Sequence, residues 1–334
     1  MALTLEDIAQ RSGSSRSTVS RVINGDPNVS DATREKIMKV IREVNFQPNL
    51  AARGLAVGRV NVVGLVIPMG VSAIFTDPFF PLLIQGVSSG CTARDFSVML
   101  WLAEPDYERR MISKMMYNGL VDGVIVSSML MDDPIVKALA ESDLPFVLIG
   151  RHPTNDTISF VDLDNRKSAY NAVLYLLNIG RKRVATISGP KNMIVGQDRL
   201  QGYKDALLQE QIPLDERLIV EGDFTEEGGY MAMFSLLAAK PDAVFVASDR
   251  MAMGAMRAIQ ENGLRIPQDV AVIGFDDVVS GYRWTPTLST VHQPIQEMGV
   301  KAAETIIEII LNPGCGPKKV LLETSLVLRE STGN

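Results

Sequence analysis

The residues best equipped for chemistry in this sequence stand just after short apolar runs. Asp77-Pro78-Phe79-Phe80 follows the first run, Ser127-Ser128 the third, and Asp162-Leu163-Asp164-Asn165 the fifth. A loop into Gln197-Asp198-Arg199-Leu200-Gln201-Gly202-Tyr203 follows the sixth. Asp223-Phe224-Thr225 follows the seventh, Ser248-Asp249-Arg250 the eighth, and Phe275-Asp276-Asp277 the ninth. Carboxylates and an arginine form paired hydrogen bonds with adjacent hydroxyls, and flat rings cover the C–H faces of a sugar, so this set suits a polyol. In parallel α/β sheets ligands bind beyond the carboxyl ends of strands, which is where these residues fall.

Catalytic readings have less to stand on. The chain holds only His152 and His292, in no metal-ligand spacing and beside no G-x-S-x-G elbow. It has neither a phosphate loop of the type G-x-x-x-x-G-K-[ST] nor a G-x-G-x-x-G fingerprint. Adjacent side chains seldom point the same way, so Asp132-Asp133 and Asp276-Asp277 read as a helix start and a single ligand contact rather than acid/base pairs. Met115, Met116, Met129 and Met131 read as packing or a subunit face. No enzyme, cofactor or metal is expected.

The elements that must position the set follow from periodicity. Apolar runs occur at Val62–Ile67, Phe96–Leu102, Gly123–Val126, Phe146–Ile149, Ile158–Val161, Val184–Ile187, Leu218–Val220, Ala243–Val246 and Val270–Phe275. Helix-length segments lie between them, including Phe79–Ala93, Asp106–Tyr117, Arg166–Asn178, Arg199–Glu210, Glu227–Ala239 and Arg250–Asn262. Strand and helix alternating at this rhythm give parallel sheets covered on both faces. The series exceeds one ordinary sheet and restarts near residue 161, which predicts two Rossmann-like subdomains with a cleft between them. Gln293–Leu311 reads as a long amphipathic helix and Val320–Leu328 as a final strand.

The first part of the chain follows a different pattern. Leu5, Ile8 and Ala9, then Val19, Val22 and Ile23, then Ile37, Val40, Ile41 and Val44 recur at three- and four-residue spacing, predicting three short helices around one small core. The turn from Arg11 to Ser15, with Gly13 in it, suits a helix-turn-helix. Ser15 can cap the second helix, which places Arg16, Ser17 and Arg21 on or near its outward leading side, where a recognition helix carries its base readers. The Ala-rich stretch from Leu50 to Val57 is too short to be a stable helix alone.

A chain of 334 residues, 46% apolar and 6% aromatic, has the composition of a soluble globular protein of two or three units. No apolar run reaches a membrane span and the first residues lack a leader pattern, so a cytoplasmic, nucleoid-associated protein is expected. Cys91 and Cys315 suggest neither a disulfide framework nor a zinc cluster. The overall charge of −6 divides unevenly. Residues 1–59 carry nine Lys/Arg against six Asp/Glu, net +3, and the remainder carries net −9. Basic charge sits where phosphate binding would need it.

TVSRVING, then VSDATREKI, NFQPN and AARGL, resembles the head of LacI/GalR-family transcription regulators over about sixty residues, and the rest follows the layout of that family. The resemblance implies a helix-turn-helix domain at 1–46, a hinge helix or linker at 47–59, and an effector-binding and dimerisation domain at 60–334 of periplasmic-binding-protein-like type. The N-subdomain would span about 60–160 plus 292–320, and the C-subdomain about 161–290 plus 321–330. Leu55 matches the position that wedges into the central minor groove. Arg16 and Ser17 would read bases in the major groove, Arg21 and Asn24 would assist, and Ser30, Thr33 and Arg53 would contact phosphate or hinge. Thr4, Ser15, Thr18, Ser20, Asn49 and Ala52 complete the expected contacts with double-stranded operator DNA.

In the body, Arg199 matches the effector-binding arginine of the family, Asp276 the aspartate after its glycine-aromatic pair, Phe224 its aromatic cleft wall, and Gln293 a further position near the cleft. Ser248-Asp249 stands where many members have Asn-Asp, and Asp77 where asparagine is frequent. Phe79, Ser128, Asp164 and Trp284 complete the expected effector set. The resemblance implies a homodimer, and the tail without apolar heptads favours a dimer over a coiled-coil tetramer. The expected function is repression relieved by a small sugar, with DLDN and QDRLQGY resembling α-glucoside or maltose-responsive members. A purine- or nucleoside-responsive corepressor type, a sugar-binding transport protein and a sugar-acting α/β enzyme are the alternatives.

Overall fold

The computed structural model describes residues 3–23, 25–46, 59–68, 71–102, 119–127, 130–278 and 284–333, in two compact units, Met1–Asn61 and Val62–Asn334. Asn24, Asn49, Ala52, Arg53, Leu55 and Ser128 lie outside the described residues, as do the expected hinge segment up to residue 58 and the expected helix over 106–117.

The head is three helices, α1 (Leu5–Ser12), α2 (Arg16–Ile23) and α3 (Asp31–Glu43). Thr4 opens α1 with a reciprocal cap: its hydroxyl accepts from the Asp7 amide at 3.3 Å, and the Asp7 carboxylate accepts from the Thr4 amide at 2.7 Å. Gly13 closes α1 in the left-handed region at φ +58°. Ser15 then caps α2 as expected, its hydroxyl accepting from the Thr18 amide at 3.1 Å. Ile8, Val19, Val22 and Ile37 are buried together, with Ala9 and Phe46 closing the cluster.

In chain order the body begins β1 (Val62–Ile67), α4 (Val71–Thr76), α5 (Phe79–Thr92), β2 (Ser97–Leu102), β3 (Gly123–Val126), α6 (Pro134–Ala140), β4 (Phe146–Ile149) and β5 (Ser159–Leu163). It continues α7 (Asn165–Asn178), β6 (Val184–Ser188), α8 (Ile194–Gln209), β7 (Ile219–Glu221), α9 (Glu226–Leu236), β8 (Ala243–Val246), α10 (Asp249–Glu261), β9 (Ala271–Asp276) and β10 (Ser289–His292). It ends α11 (Ile295–Leu311), β11 (Lys319–Leu322) and β12 (Ser325–Val327).

These strands form two six-stranded sheets, β11-β5-β4-β3-β1-β2 and β12-β10-β9-β8-β6-β7. Every pairing is parallel except β10 with β12. Strands β3, β6 and β8 are buried along their whole length, as sheets covered by helices on both faces require. The two-subdomain α/β architecture read from the run spacing is therefore present.

Two details differ from the expectation. The tail is two short strands rather than one, because β11 joins the first sheet and β12 turns back antiparallel onto the second. The chain leaves the first sheet after Leu163 and again after Leu322, within a few residues of the approximate bounds near 160 and 320. Helix α4 was not anticipated; six apolar-rich residues between two stronger elements carry no readable period.

The first lobe is closed by α5 packed on α11 at backbone distance. A Cβ at Gly86 would fall 2.0 Å from the Gln296 carbonyl, and one at Gly299 would fall 2.5 Å from that of Leu83. In the head, Ile37 is fully buried in a cluster of few members. Ile37→Ala should cost the head about 2–5 kcal/mol, the usual range for such truncations. Denaturant unfolding followed on head amide resonances measures it, and a loss below about 0.5 kcal/mol would show that the core is organised differently.

Candidate functional site

Helix α2 divides cleanly. Val19 and Val22 face the head core, while Arg16, Ser17 and Arg21 are exposed. Arg16 is 68% exposed and lies 3.2 Å from Glu6; Arg21 is 66% exposed and 3.7 Å from Asp26. Pairs this open to water hold their partners weakly, so both guanidinium groups can be redirected to another acceptor. Ser15 bonds Ser17 and Thr18, both at 2.8 Å, and Ser30 bonds Thr33 at 2.9 Å, so these hydroxyls are preset along the surface. Ser20 is half-buried. Thr4 serves as the α1 cap.

The body holds a cavity of about 380 Å³ between its lobes. The first lobe contributes Thr76, Asp77, Phe79 and Phe80 from the step between α4 and α5, Ser127 after β3, Ile149, Gly150 and Arg151 after β4, Asp162 and Leu163 of β5, and Met298 of α11. The second contributes Asn165, Met193 to Val195, Arg199, Asp223 to Thr225, Ser248, Arg250 and Asp276, with Gln293 at the crossover. More than half stand at or just beyond the carboxyl ends of strands, and Thr76, Asp77, Phe79, Phe80, Met193 to Val195, Arg199 and Met298 come from helices or the turns beside them.

Arg199 is 5% exposed, with partners at Nε, at Nη1 and on one face of its guanidinium. Nε donates to Asn165 Oδ1 at 2.9 Å, Nη1 donates to the Ala247 carbonyl at 2.6 Å and lies 3.5 Å from Asp276 Oδ1, and the group sits 3.6 Å over the Phe275 ring. Burial pulls its pKa down, and the surrounding aspartates, Asp276 first, pull the other way.

Asp276 occupies the centre. Gln293 Nε2 donates to its Oδ1 at 2.7 Å. Burial raises its pKa well above the usual carboxylate range; Arg199 opposes this, and the charges of Asp249 and Asp77 add to it. Its backbone is at φ +122° and Asp277 follows at φ +60°, an unusual pair for residues with side chains. Asp77 is likewise raised by burial, against its bond from the Phe79 amide at 3.0 Å and the pull of Arg250.

Several expected residues therefore come together: Asp77, Phe79, Arg199, Phe224, Ser248, Asp276 and Gln293 all line the cavity. The Phe224 ring is seated on bare backbone, since a Cβ at Gly189 would lie 2.4 Å from its Cζ. Ser248 also caps α10, accepting from the Met251 amide at 3.2 Å.

Three do not join them. Asp164 is exposed and caps α7, accepting from the Lys167 amide at 2.9 Å; its neighbours Asp162 and Asn165 face the cavity instead. Asp249 is fully buried behind the wall. It accepts from Thr290 Oγ1 at 2.5 Å and from the Val278 amide at 3.2 Å, and so fixes the loop that presents Asp276. Burial, with the nearby charge of Asp277, pushes Asp249 up to about 7 despite the Thr290 bond. Trp284 is half-buried, is not among the lining residues, and its Nε1 has no partner among the described residues.

Arg151 was missed. It follows Gly150 just beyond the end of the fourth run, Phe146–Ile149, and delivers a guanidinium to the cavity. Among the described residues no group of three His, Cys, Asp or Glu is placed to hold a metal ion, and no helix is long and apolar enough to cross a membrane.

Comparison with known proteins agrees with both halves. Residues 4–49 match the model of bacterial regulatory proteins of the lacI family, and residues 173–332 match a periplasmic binding protein-like domain. The HTH-type transcriptional regulator CelR of Thermobifida fusca is 39% identical over 98% of each chain. A structure of a CelR–cellobiose complex is similar with TM-score 0.79 at 37% identity, covering 98% of this chain and 99% of that one. A lac repressor dimer bound to operator and the anti-inducer ONPF is similar with TM-score 0.87 at 27% identity, covering 99% of each. These relatives regulate transcription and are not enzymes. By the likeness of its whole length to them, and by the head and body it shares with them, this chain belongs to the lacI family of bacterial regulatory proteins.

Proposed function

We propose that the protein is a homodimeric repressor whose operator affinity is lowered when a glucose disaccharide occupies the cleft. The observation that carries this reading is the cluster of Arg199, Asp276, Gln293 and Asp77, which lines the same cavity as the Phe224 ring. Fixed donors and acceptors and a flat apolar ring thus share one cavity. A cavity of about 380 Å³ sits at the small end of ordinary ligand pockets, with room for one or two sugar rings. The cellobiose found in the CelR structure makes a β-linked disaccharide the first probe, and the sequence resemblance to α-glucoside regulators makes maltose the second.

On the DNA side, Arg16 and Ser17 read base edges, Arg21 assists, and Ser30 and Thr33 approach phosphate. Asn24, Asn49, Ala52, Arg53 and Leu55 extend the contact to the hinge and minor groove by the family resemblance alone. Ligand lowers DNA affinity only as far as it binds one arrangement of the lobes better than the other.

The test is fragment selection on operator DNA, followed by titration with cellobiose, maltose, ribose and hypoxanthine. Arg16→Ala should weaken selected DNA by about 1–3 kcal/mol, the worth of a two-point base contact, and leave sugar binding intact. Arg199→Leu should abolish the sugar response and keep DNA binding. Heat from hypoxanthine with none from any sugar would establish the purine reading instead.

Proton linkage gives a second check on how Asp276 is presented. Asp249 titrates near 7 when folded and near the usual aspartate value when unfolded, so the folded form holds the extra proton between about pH 4 and 7. Its contribution therefore falls as pH rises through that window and is level above it. Asp249→Asn removes the titration and keeps an acceptor for only one of the two donors, Thr290 Oγ1 on Oδ1 and the Val278 amide on Oδ2, so beneath a pH-independent loss its melting temperature should gain on the wild type between pH 5 and pH 8. Parallel melting curves would show that Asp249 does not carry the proton.

A further inference from the structure

The two lobes touch across the cavity at a point that the ligand set above does not use. Arg151 leaves the end of β4 in the first lobe, and Asp198 stands on α8, which packs on β6 and α7 of the second. Arg151 Nη2 donates to Asp198 Oδ1 at 2.7 Å, and Nη1 lies 2.5 Å from Oδ2. The same guanidinium is steadied from its own lobe by Asp162, whose Oδ2 accepts from Nη1 at 3.2 Å. Beside this pair the backbones meet as well: Leu130 and Met193 form an antiparallel bridge, and the Met131 amide donates to the Asn192 carbonyl at 3.0 Å.

We infer that Arg151 and Asp198 form a clasp between the lobes, made when the cleft is closed and broken when it opens, which sets how readily the empty body closes. Three features of the geometry support it. The partners belong to different sheets, so the pair cannot survive a change in lobe angle unless one side chain follows the other. Arg151 has a fixed partner on its own lobe, so opening leaves it paired with Asp162 rather than bare. Asp198 precedes Arg199 on α8, so the clasp draws the ligand-binding arginine toward the first lobe as it forms.

The clasp is a positioning device, and its consequence for gene control rests on the repressor reading above. Its existence does not, and it can be tested without any ligand. The Met131 amide reports lobe contact directly through its bond to Asn192, while the Val124 amide, bonded to Pro145 within the first lobe, reports ordinary folding. Hydrogen exchange should be measured on the full-length, ligand-free protein carrying Asp198→Asn, Arg151→Gln, both together, and Asp198→Glu.

Either single variant should raise exchange at Met131 about two- to fivefold with Val124 unchanged, the span of a partly exposed ion pair. The double variant should do no worse than the singles, and Asp198→Glu should recover most of the protection. The effect should shrink in the wild type at high salt. Unchanged Met131 exchange in both singles, or additive losses in the double, would overturn the clasp. Cellobiose or maltose, should either bind, would dissociate faster from both singles. Failure of every sugar to bind would overturn the repressor's ligand and leave the exchange result standing.

Discussion

A guanidinium taken out of water must be met by acceptors on every side, and in this body Arg199 imposes that demand. Its partners come from three different places: Asn165 at the start of α7, the Ala247 carbonyl beyond β8, and Asp276 at the end of β9. Satisfying one side chain thus fixes the ends of several strands relative to one another. The demand then passes outward. Asp276, itself buried, needs Gln293, and the left-handed pair Asp276-Asp277 needs something to hold the loop in place. Asp249 supplies that from behind, and Thr290 in turn satisfies Asp249. The ligand wall is the visible face of a polar network that runs through to β10, and such networks specify geometry only when every member is satisfied.

Rigidity of this kind in each lobe makes motion between lobes useful. In the first lobe α5 and α11 approach through Gly86 and Gly299 so closely that a methyl group on either would meet backbone. Helices locked at that distance move with their sheet as one body. The freedom left is at the three crossovers, near Leu163, His292 and Leu322, where the chain passes from one sheet to the other.

Much of this was legible in the sequence. Nine apolar runs matched nine parallel strands, most plainly at β3, β6 and β8, because a strand buried on both faces is apolar nearly throughout, while the edge strands β2 and β7 are partly exposed. Residues after strand ends were found for the same reason, and seven of the expected effector positions line one cavity. What failed was the choice between neighbours. In Asp162-Leu163-Asp164-Asn165 all the polar residues are chemically able, and only the cap rule separates them: an aspartate before a helical pattern is the capping residue, as Asp164 proves to be. Asp249 misled similarly, since a carboxylate at a strand end can face inward to its own network as well as outward to solvent. Arg151 carries no signal of its own beyond its place after a strand. Its partner Asp198 lies 47 residues on, a separation that spacing alone does not connect.

The partial exposure of the clasp bears on how such a body can respond at all. A ligand shifts an equilibrium only by the difference in its affinity for the two states, and useful couplings between sites are on the order of 1–3 kcal/mol. A cross-lobe pair buried as deeply as Arg199 would have to offset, on each closure, a desolvation cost that can exceed its attraction. With no pair at all, the ligand alone would have to offset the whole cost of closure, and its apparent affinity would fall by the fraction of closed body. Arg151 is 33% exposed and Asp198 15%, so their attraction is partly screened and its net worth is small. That places the closed arrangement within reach of a small neutral ligand without making it permanent.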